Sequence, residues 1–148
     1  MKKSLTMSVV AALVLVASLA VARAQKETSK DHATYVAASK ATFKPMERSS
    51  GSVSSATLYG DPDKGPHATL TKFNPGYDAG MHYHTNDIRI VGIKGAYLYK
   101  DEDGEKRVGP GDFLFVPGGH KHWSGGDKTE GALFYSDSSD KFDLVPVK

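Results

Sequence analysis

Four of the chain's six histidines stand in two His-x-His pairs, His82-Tyr83-His84 and His120-Lys121-His122. In an extended strand, side chains two positions apart share a face and lie roughly 7 Å apart along the chain. Two imidazoles so placed can meet one metal ion, and neutral imidazole is the commonest protein ligand for first-row metals. Two such pairs among six histidines are more than chance placement readily gives. The candidate metal ligands are therefore His82, His84 and His122. His120 is the spare member of the second pair, either a further ligand or a residue at the rim of the site. Asp87 is the acid nearest the first pair. It is either an additional ligand or a residue that caps the Thr85-Asn86-Asp87 bend. His32 and His67 stand alone and are read as non-functional. The chain has no cysteine, which excludes thiolate metal sites, cysteine nucleophiles and disulfides. Neither a Ser-His-Asp order nor a phosphate-binding loop stands out.

The elements that must position these histidines read as short strands. His67 to Phe73 alternates, Ile88 to Ile93 is β-branched and apolar, and Phe113 to Val116 is an apolar run. Further short runs lie at Ala56 to Tyr59, Met81 to His84, Gly95 to Lys100, His120 to Ser124, Gly131 to Ser136 and Phe142 to Val147. Turn clusters such as Gly60 to Pro66, Asn74-Pro75-Gly76 and Asp103-Gly104 separate them. Ala33 to Lys44 reads as a first extended segment. About ten short strands at this spacing, with no convincing helix among them, argue for an all-β sandwich or barrel.

The N-terminus carries a different signal. Met1-Lys2-Lys3 is followed by an uncharged apolar run from Ser4 to Val21 and an A-x-A site at Ala22-Arg23-Ala24. This is the pattern of a signal peptide over residues 1–24, cleaved before Gln25. The run is short for a membrane span of about 20 residues. The expected product is exported, periplasmic or secreted, with no membrane association after cleavage. Losing Lys2, Lys3 and Arg23 takes the formal charge from +2 to −1, so the basic balance of the whole chain gives no argument for a nucleic-acid partner. Residues 25–32 are polar and read as a disordered start, leaving 33–148 for one domain with one core.

The spacing of these residues resembles the cupins. The first cupin motif, G-x5-H-x-H-x3,4-E-x6-G, is met by Gly76, His82, His84 and Gly95. The second, G-x5-P-x-G-x2-H-x3-N, is met by Gly111, Pro117, Gly119 and His122. The resemblance covers about a third of the chain and implies a single-domain jelly-roll β-barrel, often homodimeric, with a metal inside its mouth. Two positions depart from it. The glutamate position is Ile88, or Arg89 if the preceding loop is one residue longer, and the closing asparagine position is Gly126. The resemblance thus implies a three-histidine site without its usual carboxylate.

Three neutral ligands leave the metal a full dication and a strong Lewis acid, with open positions for water, dioxygen or a chelating substrate. One divalent transition metal is expected, Fe(II) favoured, with Zn, Mn, Ni or Cu as alternatives. Ile88, Arg89 and Trp123 are candidates for the pocket wall. Phe113, Phe115, Phe134 and Tyr135 read as core or pocket wall, and Tyr97 and Tyr99 as one shared face, either the barrel exterior or a dimer surface. The functional expectation is an exported, dioxygenase-like metalloenzyme acting on a small oxygenated organic molecule, with metal-assisted isomerisation or hydrolysis as its runner-up. The alternative is a non-catalytic metal- or ligand-binding module.

Overall fold

The alternation that makes Ile88 to Ile93 a strand also decides what the barrel encloses. In strand β5 (Ile88–Gly95), Ile88 and Ile90 are buried while Arg89 between them is half-exposed. A period of two puts one set of side chains inward and the other toward solvent. The same logic, repeated over eleven short strands among the described residues, produces two antiparallel sheets with their apolar faces together.

The chain was described from a computed structural model covering residues 33–47 and 49–148, and Val36–Lys148 form one compact unit. The expected leader over 1–24 and the polar stretch 25–32 lie outside the described residues. The remaining strands are β1 (Lys44–Pro45), β2 (Val53–Gly60), β3 (His67–Phe73), β4 (Asp78–Tyr83), β6 (Tyr97–Asp101), β7 (Gly104–Val108), β8 (Phe113–Val116), β9 (His122–Gly126), β10 (Ala132–Ser138) and β11 (Val145–Pro146). One sheet runs β1-β2-β3-β10-β5-β8 and the other β11-β4-β9-β6-β7. This is the expected all-β jelly-roll arrangement.

Between the sheets lie Ile88, Ile90, Tyr97, Tyr99, Val108, Val116, Ala132 and Phe134, with Phe73, Leu114 and Phe142 packed against them. Phe73 meets Phe134 edge-on at 4.9 Å, and Tyr97 meets Phe134 at 5.0 Å. Such pairs contribute about 0.5–1.5 kcal/mol each beyond the area they bury. Tyr97 and Tyr99 therefore belong to the interior, not to the exterior or a dimer surface. Strand parity explains it: both lie on the β6 face that carries the sheet's core, while Leu98 and Lys100 take the other face. Phe113 and Phe115 go the opposite way. They pair with Val91 and Arg89 across β5 and β8 and stand 63% and 48% exposed, so they are not core.

Two other expectations shift at their edges. Ala38–Lys40 forms a short 3-10 turn where an extended segment was expected, and only Lys44–Pro45 pairs as a strand. Of the run Phe142 to Val147, only Val145–Pro146 pairs, against β4. Phe142 to Leu144 is irregular chain, tied to the loop after β2 by the Phe142 N–H on the Pro62 carbonyl at 2.7 Å and to His84 by the Asp143 carbonyl.

The motif glycines are where the chain turns tightest. Gly95 has φ +63°, and a Cβ there would sit 2.3 Å from the Gly131 carbonyl oxygen. Only glycine allows both the left-handed backbone and that approach.

Candidate metal centre

The two histidine pairs meet because their strands are neighbours. β4 and β9 pair antiparallel with His82 directly opposite His122. Directly opposed residues on one face bring their Cβ atoms to about 4.5–5.5 Å, and here the two rings lie 4.3 Å apart between centroids. His84 follows two residues after His82, just past the end of β4, and keeps to the same face. Its ring is 5.0 Å from His82 and 5.4 Å from His122.

Two loops lock this arrangement. The Gly119 N–H donates to the His84 carbonyl at 2.8 Å, which ties the loop after β8 to the end of β4. The Gly118 N–H donates to Asp87 Oδ1 at 2.8 Å beside it. A Cβ at Gly118 would sit 2.4 Å from the Thr85 carbonyl oxygen, so the loops touch at a distance no side chain would tolerate.

Each imidazole is also oriented by its outer nitrogen. Nδ1 of His82 donates to the Gly80 carbonyl at 2.9 Å, and Nδ1 of His122 to the His120 carbonyl at 3.0 Å. Nδ1 of His84 donates to the Asp143 carbonyl. A carbonyl can only accept, so each Nδ1 carries the proton and each Nε2 is left as a lone pair. Carbonyls in this position fix both the tautomer and the ring angle of a metal-ligating histidine.

The rings are buried. His82 and His122 are 1% and 0% exposed and His84 is 8%. Burial holds all three below the ordinary histidine pKa, against the pull of their carbonyl partners, and neighbouring imidazoles add to the lowering. His122 is pushed down to about 4. The three therefore remain neutral at physiological pH, the state a metal requires.

One ligand atom from each of the three histidines lies within 4.8 Å of the other two. Nε2 of His122 is fully buried and has no hydrogen-bond partner among the described residues. Leaving a buried polar atom unpaired costs about 1–3 kcal/mol. Three convergent imidazoles, one with an orphaned lone pair, fit a divalent transition metal and can hold one.

A family model described as Domain of unknown function (DUF4437) matches residues 33–148. The chain belongs to the DUF4437 family. Comparison with the curated proteins finds no match. Among solved structures, this DUF4437 domain is similar to the polyketide cyclase RemF from Streptomyces resistomycificus, at 17% identity and TM-score 0.67, covering 79% of this chain and 87% of that one. KdgF from Halomonas sp. matches at 19% identity and TM-score 0.57, covering 71% and 94%. An RmlC-like cupin from Shewanella frigidimarina matches at 18% identity and TM-score 0.58, covering 73% and 92%. The DUF4437 domain thus has the cupin fold that its two histidine motifs imply.

The side chains of the other candidate residues of the DUF4437 domain are not part of the three-ring group. Asp87 spends its carboxylate on the Gly118 N–H and is outside the convergent group. It sits in the loop just before β5, one residue ahead of the inward-facing Ile88. Arg89 is on the outer face of β5, paired with Asp137 of the neighbouring strand. Ile88 is the inward residue and is buried in the core, so the register that places it at the glutamate position is the observed one. Trp123 alternates with His122 and faces away from it. Its indole N–H donates to Asp78 at 2.6 Å, and it lines a separate depression of about 580 Å³ with Leu98, Lys100 and Arg107. His120 is not in the group either, since its Nε2 pairs with Asp101 at 3.1 Å. His67 is buried, with Nδ1 on the Gly65 carbonyl at 2.9 Å.

Three contributors to the site were not among its sequence candidates. Phe142 lies 5.3 Å from the His84 ring. Asp143 supplies the His84 acceptor from 59 residues away, and its carboxylate accepts from Thr85 N–H at 2.8 Å and Thr85 Oγ1 at 2.5 Å. Tyr99 stacks on His122 at 5.1 Å and 22°. The i, i+2 spacing of Tyr97, Tyr99 and Asp101 could have placed Tyr99 inward. Nothing local could have placed Phe142 or Asp143.

Proposed function

We propose that this chain is an exported metalloenzyme in which His82, His84 and His122 hold one divalent transition metal and the substrate is a small oxygenated organic molecule. The observation that carries the reading is the buried Nε2 of His122, which has no partner while the other two rings converge on it. With no carboxylate in the group, a bound metal would supply a full dication to polarise or chelate oxygen atoms. The wall beside it is apolar: Ile88 stands where a glutamate would lower that charge, and Tyr99 and Phe142 cover two of the rings. A dry wall and a charged centre favour a ligand whose oxygens chelate and whose carbon skeleton packs. Structural similarity to a polyketide cyclase supports a carbonyl-rich substrate of this kind. We favour Fe(II) and dioxygenase-like chemistry.

The test begins with metal analysis of protein from the exported fraction. Stoichiometric metal in the wild type and its loss in His82→Ala are expected, and equal metal in both would overturn the site. Oxygen uptake after anaerobic Fe(II) loading, against a panel of diketones and phenols, then tests the reaction. Turnover without oxygen uptake would replace the oxygenase by a metal-assisted isomerase or hydrolase.

A second reading is favoured by the closure of the site. His122 has no exposed surface and Phe142 packs over His84, which suits a module that retains a metal or ligand without turnover. Bound metal with no reaction across the panel would favour it.

A further inference from the structure

We propose that Asp101 is a positioning residue for the third metal ligand, His122, and that it acts through two separate arms. The proposal rests on the three-histidine metal reading. Its observations lie outside the three rings.

Asp101 closes strand β6 and follows the parity of Tyr97 and Tyr99, so its carboxylate points inward and is only 7% exposed. Four donors converge on it. Tyr99 Oη donates to Oδ2 at 2.8 Å, and His120 Nε2 lies 3.1 Å from the same oxygen. The Asp103 N–H donates to Oδ1 at 3.0 Å, and Lys106 Nζ lies 3.5 Å from it. Burial alone would raise the carboxyl's pKa, but these hydrogen bonds and the Lys106 charge pull it down to about 2. Asp101 is thus an anion throughout the physiological range.

Two of the four partners lead to His122. The first arm is Tyr99, whose ring stacks on the His122 imidazole at 5.1 Å and 22°. With its hydroxyl held by Asp101, the phenol ring has a fixed plane, and so has the face against which His122 rests. The second arm is His120, whose side chain is tethered to Asp101 while its carbonyl accepts the His122 Nδ1–H at 3.0 Å. One carboxylate therefore sets both the face of the imidazole and the acceptor that fixes its tautomer. The other two rings have no such hub: His82 uses Gly80 of its own strand, and His84 uses Asp143. Outer groups of this kind typically account for about 10–100-fold in metal affinity.

The experiment compares wild type, Asp101→Asn, Tyr99→Phe and His120→Ala, each as the full mature chain. Tyr99→Phe keeps the stacked ring and loses only the tether. His120→Ala keeps the carbonyl and loses only the side-chain tether. Metal-free protein is titrated with Co(II) and followed by visible absorption. Asp101→Asn is expected to bind about 10–100-fold more weakly with a shifted absorption band, and each arm variant to reproduce part of both changes. An Asp101→Asn protein that is folded by circular dichroism and matches wild type in affinity and spectrum overturns the proposal. A readout without metal separates this outcome from failure of the metal reading. By 15N NMR of the imidazoles, wild-type His122 should be a single Nδ1–H tautomer and the Asp101→Asn protein a mixture. An unchanged tautomer overturns the positioning role whether or not Co(II) binds. A wild type that takes up no Co(II) overturns the metal reading, and the tautomer comparison still decides Asp101.

Discussion

Burying three neutral imidazoles makes the metal-free protein sensitive to acid in a window that can be calculated. In the folded chain His122 keeps its neutral form down to about pH 4, whereas the unfolded chain takes up the proton near 6.5. Below pH 6.5 the unfolded state therefore binds more protons, and stability falls with falling pH until the folded state is protonated near pH 4. Above 6.5 the stability is fully present. Each pH unit of separation corresponds to about 1.4 kcal/mol, so His122 alone accounts for a loss of roughly 2–3 kcal/mol after allowing for solvent screening. His82 and His84 are lowered too and add loss of the same sign. The perturbation is His122→Leu, which fills the space and removes the proton site. Urea unfolding of metal-free wild type and variant, at a series of pH values from 7.5 to 4, gives the two slopes directly. The variant is expected to lose less stability across the window by about 2–3 kcal/mol, whatever its stability at pH 7.5. Equal slopes would show that His122 is not buried neutral, and the case for a preformed ligand would fall with it.

Other perturbations probe the parts around the rings. Asp87→Asn should leave metal stoichiometry unchanged, because the carboxylate serves the Gly118 N–H, and should lower stability by about 1–2 kcal/mol in urea unfolding. Gly118→Ala places a Cβ 2.4 Å from the Thr85 carbonyl. It should cost about 1–3 kcal/mol and weaken metal retention against a chelator. Phe142→Ala removes a half-buried ring beside His84. It should cost about 2 kcal/mol, below the range for a fully buried phenylalanine, and should speed stripping of metal by a chelator several-fold.

The fold and the three rings were legible in the sequence for the same reason. Both are period-two facts. His82 and His84 share a face by spacing alone, and the Gly-to-His stretches fix where each strand begins and turns. The residues around the rings were less legible because their placement depends on register and on contacts between distant segments. Tyr99 and Trp123 show the first limit: each is one residue from a position of opposite facing, so an error of one inverts the assignment. Phe113 and Phe115 show a second. An apolar run in an edge strand reads as core, although β8 has a neighbour on one side only. Asp143 shows the third, since a backbone carbonyl is the same in every residue and leaves no mark in composition.

The Asp143 carbonyl gives the site an order in time. A ribosome makes His82 and His84 well before Asp143, which lies 59 residues after His84. Until that late segment docks beside β4, His84 has no acceptor for its Nδ1–H and Thr85 has no clasp. A chain that has not yet reached Asp143 would therefore carry all three imidazoles, with His82 and His122 already paired across β4 and β9 but His84 without its acceptor. The strands from β2 to β10 can pair before His84 is oriented, and the segment that carries Asp143 completes the centre. Orientation of the third ring would then report that the Asp143 segment has docked, not merely that the core has folded.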